Sequence, residues 1–297
     1  MHLMTIRTIR IDTLRSFLKA WFLMTNEILS FDSVKHEELK ILVEFHNFCE
    51  KYNLCYSLSY GTLIGAVRHK GFIPWDDDID VVMPRKDYDR FLSLVQSGSF
   101  SPWLRVQATE IDGYLPSFAK VINPNISVRT ERDRPSVPEW LWIDVFPIDG
   151  ISDSNLKATI MFYEVKLLDL ICIVSRLNFH YPHPISMKIL MAIFYPISLI
   201  LPIEKWASGR IHKLSRKYDI GETKRAGQIG WGFGLREAFP NSYFTDVMNA
   251  EFEGHQFKIP THYDEMLTQL YGDYMIIPPA DKQVSHQLTA SVNSRTE

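Results

Sequence analysis

The chain has 297 residues, 46% of them hydrophobic, which is enough for one large domain or two modest ones with a sizeable core and excludes wholesale disorder. Thirty-two Lys and Arg against thirty-five Asp and Glu leave a net charge of −3, so the chain lacks the electrostatic footprint of a dedicated nucleic-acid binder. Cys49, Cys55 and Cys172 have neither metal-ligand spacing nor the density of a disulfide scaffold; they read as small apolar core residues in a reducing compartment.

Residues 1–35 form a lead-in in which Arg7, Arg10, Arg15 and Lys19 interrupt the apolar residues. That pattern predicts neither a signal peptide nor a membrane span, but an exposed amphipathic or disordered segment. Over residues 36–52, Ile41, Phe45, Phe48 and Tyr52 recur at helical spacing with Glu37, Glu38, Glu44 and Glu50 on other faces, which predicts an amphipathic helix. Residues 54–60 read as a short strand, and Gly61 breaks it and opens a compact helix over 62–68. After a turn at 71–74, the run DDDIDVVM at 76–83 predicts a second strand, closed by Pro84. Tyr88, Phe91, Leu92 and Val95 then mark a second amphipathic helix.

Strands near 105–108, 118–122 and 140–146 complete a mixed sheet with flanking helices, an α/β or α+β class. Residues 156–177 follow as a long apolar helix pattern, and 189–203 as a hydrophobic run interrupted by Tyr195, Pro196, Ser198 and Pro202. That run is shorter than the roughly 20 apolar residues a bilayer crossing takes. Residues 221–286 are rich in aromatics, Gly and Pro and predict loops and short elements folding back on the first part. The division is a lead-in at 1–35, a mixed-sheet core at 36–155, a helical apolar insertion at 156–220 and a C-terminal segment at 221–297 that folds back on the core.

Alternation along a strand puts Asp78 and Asp80 on one side and Ile79 and Val81 in the core. Paired carboxylates repel unless a cation sits between them, and Mg²⁺ (or Mn²⁺) completed by substrate phosphates is the common solution. A solvated acidic turn is the bland alternative, countered by the core-forming residues on both sides. Asp76 and Asp77 read as turn acids that cap backbone amides. Asp144 interrupts the apolar run 140–146, so it needs a partner: either the same metal or an arginine. Asp149 reads as a turn residue before Gly150.

Gly61-Thr62-Leu63-Ile64-Gly65 places backbone amides at a helix start, where anions are favoured. Arg68, His69 and Lys70 follow, either as cations for a phosphate or as an exposed basic helix end. Neither a P-loop nor a dinucleotide fingerprint is present.

Strand, Gly-Thr, helix, Asp-x-Asp strand and a later lone-Asp strand, in that order, resemble the nucleotidyltransferase fold and specifically the LicD family. Residues 61–81, GTLIGAVRHKGFIPWDDDIDV, are similar to the family signature almost residue for residue. Further similar segments are MPRKDY at 83–88, WIDVFPID at 142–149, FEG at 252–254 and YGDYM at 271–275 with Pro278-Pro279 and His286, so the resemblance runs from about 36 to 286. After the Pro-Pro pair, Asp281-Lys282-Gln283 departs from the family's basic residue, with Lys282 as a substitute.

The resemblance implies transfer of phosphocholine or a related phosphoryl-linked group from a CDP-activated donor, CDP-choline or similar, to a hydroxyl of a cell-surface glycan. Asp78, Asp80 and Asp144 would hold the metal and carry catalysis. Gly61, Thr62, Arg68, His69, Lys70 and Lys120 would contact the donor; for Lys120 an exposed lysine is the alternative. One rival is a metal-dependent glycosyltransferase, distinguished by release of a nucleoside diphosphate rather than CMP. The other is a non-catalytic membrane-docked scaffold, against which the full Asp set speaks. Family acceptors are often lipid-linked glycans, and residues 185–203, with Lys188, Lys205 and Trp206 as anchors, read either as membrane-interfacial or as a buried helix pair broken at Pro196 and Pro202. The expected location is cytoplasmic, with possible peripheral contact at the inner face of the membrane.

Overall fold

A computed structural model of the protein describes residues 27–130, 139–230, 232–283, 285 and 288–292. The predicted lead-in up to residue 26 and His286 lie outside the described residues. Strands β1 (Glu27–Ile28), β2 (Ser57–Leu58), β3 (Asp80–Pro84), β4 (Arg105–Gln107), β5 (Ala119–Arg129), β6 (Glu139–Ile151), β7 (Arg225–Gly227), β8 (Phe239–Pro240) and β11 (Thr289–Val292) form one sheet, with the path β1-β11-β5-β6-β3-β2. β3 runs parallel to β6, and the other pairings, including β4 on β5, are antiparallel. β9 (Val247–Phe252) and β10 (His255–Pro260) make a separate hairpin. The class is mixed α/β, as expected.

Helix α1 (Phe31–Tyr52) begins where the Ser30 hydroxyl accepts the Ser33 amide at 3.2 Å and ends at Asn53 in the left-handed region, φ 50°. Its apolar stripe, Ile41, Leu42, Phe45 and Phe48, is buried in the main core with Val121 of β5 and Ile143 and Val145 of β6. Each such burial contributes about 1.5–3 kcal/mol before conformational entropy is subtracted. α2 (Tyr60–Ile64) continues as one widened turn over Gly65–His69, a longer helical stretch than the sequence marked at its start. α3 (Arg85–Gln96) buries Tyr88, Phe91 and Leu92. The short α4 (Thr109–Asp112) links β4 to β5.

Beyond β6, α5 (Asn155–Arg176), α6 (Ile185–Ile200) and α7 (Ile203–Ser215) form a helical unit with its own cores. Ala158, Met161, Phe162 and Val165 pack with Ala207, Ile211 and Leu214, and Val174 and Leu177 pack with Met191. Pro196 lies inside α6 without ending it, contrary to expectation; the break comes at Leu201-Pro202. α8 (Tyr263–Tyr271) and the β9–β10 hairpin fold back on the sheet, and β11, unforeseen from the sequence, inserts between β1 and β5.

Candidate active site

Asp80 opens β3, its register partner on the parallel β6 is Asp144, and the partner of Asp144 on β5 is Lys120. Register partners share a sheet face, so two carboxylates and an ammonium stand side by side across three strands. Lys120 is only 9% exposed, which removes the surface-lysine reading, and its Nζ lies 3.5 Å from the centre of the Trp142 ring. Asp78 precedes the strand rather than lying in it. Even so, the Asp144 amide donates to the Ile79 carbonyl at 2.9 Å and Ile79 is buried, so the extended chain reaches back to Asp78.

Burial pushes the Asp80 carboxyl well above the usual range; Asp78, Asp144 and Asp76 push the same way, and Lys120 opposes them. Among the described residues, no group of three or more His, Cys, Asp or Glu side chains is arranged to hold a metal by itself. A divalent cation held by one or two carboxylates plus phosphate oxygens still suits this donor set, whose mutual repulsion a cation relieves. Glu38 of α1, which the sequence placed merely on a polar helix face, is 1% exposed, and its Oε2 has no hydrogen-bond partner among the described residues. Burial raises its carboxyl strongly, and Asp78, Asp77, Asp76 and Asp144 raise it further, so it faces the acidic segment from the helix side.

Thr62 is buried, and its hydroxyl accepts the Asp80 amide at 2.8 Å, so it positions the first residue of β3. A Cβ at Gly61 would come within 2.6 Å of Asp76 Oδ2; the glycine is what allows the acidic loop to approach the helix start. A Cβ at Gly65 would fall still closer to the Gly71 carbonyl oxygen, so the bare glycine lets 65–73 fold back on itself. Two contacts distant in sequence hold that fold. Glu253, at the tip of the β9–β10 hairpin, accepts the Phe72 amide at 3.0 Å, and Lys35 of α1 donates to the carbonyls of Ile73 and Pro74 at 3.1 and 3.0 Å.

The predicted cations diverge. Arg68 donates to the carbonyls of Tyr274 and Ile276 and to His69 Nε2, tying the C-terminal segment to the helix end. Burial, with Arg68 beside it, lowers the His69 pKa. Lys70, in the left-handed region at φ 57°, turns to Glu251 at 3.8 Å. Asp149 is not a turn residue: it is buried in β6 and accepts two hydrogen bonds from Arg85, at 2.7 and 2.6 Å. A cavity of about 330 Å³ opens beside Lys120, with Tyr114, Leu115, Trp140, Glu139 and Arg176 in its wall.

The family model described as LicD/FKTN/FKRP, nucleotidyltransferase domain, matches residues 53–166, the span that carries Gly61, Asp78, Asp80, Lys120 and Asp144. The lipopolysaccharide cholinephosphotransferase LicD of Haemophilus influenzae is 33% identical over 255 residues, covering 84% of this chain and 93% of that protein. An uncharacterized protein of Rickettsia typhi is 38% identical over 56 residues, 19% of this chain and 18% of that protein. Identity of 33% over most of both chains, together with a family match whose span carries the rung of Asp80, Asp144 and Lys120, shows that the chain belongs to the LicD/FKTN/FKRP family as a transferase built on its nucleotidyltransferase domain.

Proposed function

We propose that the protein transfers phosphocholine, or a closely related phosphoryl-linked group, from a CDP-activated donor to a hydroxyl of a cell-surface glycan, working on the cytoplasmic side of the membrane. The observation that carries this reading is the register of Asp80, Asp144 and Lys120 on one sheet face. The similarity to a lipopolysaccharide cholinephosphotransferase supports the choice of group and acceptor.

Asp78, Asp80 and Asp144 would hold Mg²⁺ or Mn²⁺, which, when bound, neutralises phosphate oxygens at the reacting centre. Lys120, which stands on the same rung with its Nζ over the Trp142 ring, offers an ammonium to the same phosphate. In the transfer, the acceptor oxygen bonds to the donor phosphorus, the bond from that phosphorus to the CMP oxygen breaks, and its electron pair leaves with CMP. The acceptor's proton passes to solvent or to a carboxylate of the cluster. Tyr114 and Trp140, in the cavity beside Lys120, offer ring faces to a quaternary ammonium head group.

The test is CMP release from CDP-choline with a glycan acceptor and Mg²⁺. Asp80→Asn and Asp144→Asn should each reduce it by about 10³-fold or more without loss of fold, because the groups act on one unit. Release of a nucleoside diphosphate with a glycosidic product would overturn the reading in favour of glycosyl transfer.

A further inference from the structure

No described helix is long and apolar enough to cross a membrane, yet the helical unit exposes apolar side chains in regular stripes. On α6, Ile185, Ile189, Ile193, Ile197 and Ile200 point outward at intervals of three and four residues, Ile185 at 79% and Ile200 at 82% exposure. On α5, Leu156, Ile160, Tyr163 and Leu167 do the same, opposite the stripe that packs on α7. Trp206, 64% exposed, stands at the start of α7 beyond a bend of about 100°. A water-soluble helix normally shows its polar face outward, and single exposed apolar residues need no explanation, but stripes of this length do.

Charge decides the occupant. Between Lys157 and Lys213 the chain carries seven Lys and Arg against three Asp and Glu, although the whole chain carries three more acids than bases. Arg210 is paired with Glu164 at 2.7 Å and Arg176 with Glu139 at 2.8 Å, so the basic excess rests on Lys157, Lys166, Lys188, Lys205 and Lys213, and no acid lies between Asp169 and Glu204. Lys157 and Lys205 are exposed beside the stripes, as a surface that meets anionic headgroups requires. α6 has 16 residues, about 24 Å, short of the roughly 30 Å hydrocarbon core, so it suits lying along the interface rather than crossing it.

We propose that the outward faces of α5 and α6, with Trp206, form a docking surface for an anionic lipid bilayer. The side chains sink into the headgroup boundary, and the basic rim selects anionic lipid. This assignment stands apart from the transfer chemistry, since these residues lie on the helices that follow β6 and the Asp80–Asp144 rung lies on β3 and β6.

The test is flotation of the full chain with phosphatidylcholine vesicles, with and without phosphatidylglycerol. The expected result is binding that needs the anionic lipid and weakens with salt, and that falls by about tenfold or more in Ile189→Asp/Ile193→Asp, while donor affinity in solution is unchanged. Quenching of fluorescence by brominated lipid, reduced in Trp206→Phe, supports the proposal even where the double variant misfolds. Wild type that ignores vesicles overturns it, as does a vesicle-free dimer that Ile193→Asp dissociates, which would assign the face to a second copy. Unchanged vesicle binding in a folded double variant, or quenching equal in wild type and Trp206→Phe, overturns it as well.

Discussion

Replacing Glu237 by Gln should stabilise the protein at neutral pH and flatten the fall of its stability on the alkaline side. Glu237 is buried beside Tyr60 and Gln228, in a segment tied to the end of α8 by Arg236, which donates to the carbonyls of Gln269 and Leu270. Burial lifts its pKa from the ordinary 4.5 to about 8. From pH 4.5 upward the unfolded chain gives up this proton while the native state keeps it, so stability is full below 4.5 and is lost as pH rises to about 8. At about 1.36 kcal/mol per pH unit, the loss by pH 7 is roughly 3 kcal/mol, and Gln, which has no proton to lose, avoids it. Urea unfolding of both forms at pH 5, 7 and 8.5 measures this: the two curves should converge in acid and part by roughly 3 kcal/mol at pH 7. Parallel pH dependence in the two forms would refute the reasoning. The effect reaches the site, because Glu237 lies beside the Tyr60 hydroxyl, which donates to Gln228 under the first turn of α2.

Thr62→Val removes the acceptor of the Asp80 amide, which should cost about 1–3 kcal/mol in thermal unfolding and lower kcat, whereas Thr62→Ser should keep both. Glu253→Ala frees the Phe72 amide, so hydrogen exchange there should quicken and donor KM should rise, with a stability loss of about 1–2 kcal/mol. Trp140→Leu should raise KM for CDP-choline by about tenfold with kcat nearly unchanged, and leave a CDP-alditol donor unaffected; equal losses for both donors would show that the ring does not read the ammonium.

Much of the fold was legible because periodicity reports burial directly. The apolar stripe of α1, the pattern over Tyr88–Val95 and the alternation around Ile79 and Val81 each name the face that turns inward, and the structure buries those faces. The Asp78–Asp80 pair and the lone Asp144 stood out for the same reason: acids inside core-forming sequence need a cause. What no local pattern contains is register. That Asp144 lies beside Asp80, and Lys120 beside Asp144, follows from a parallel pairing joined through residues 85–143, and a slip of one residue would turn each side chain to the other face.

Asp149 was misread as a turn acid because Asp-Gly is the commonest turn signal. Only the approach of Arg85 from α3 makes a buried strand position tolerable for that carboxylate. The burial of Glu38 went unseen for a related reason, as did the role of Glu253, although FEG at 252–254 resembles the family. On a helix face and in a hairpin tip the two look like ordinary surface acids, and it is the packing of α1 over the sheet and of the β9–β10 hairpin over Gly71 that removes one from water and hands the other a backbone amide. Periodicity along the chain thus determined which residues go inside. Which charges meet there was decided by contacts between segments far apart in sequence, because electrostatic partners are chosen by distance in space.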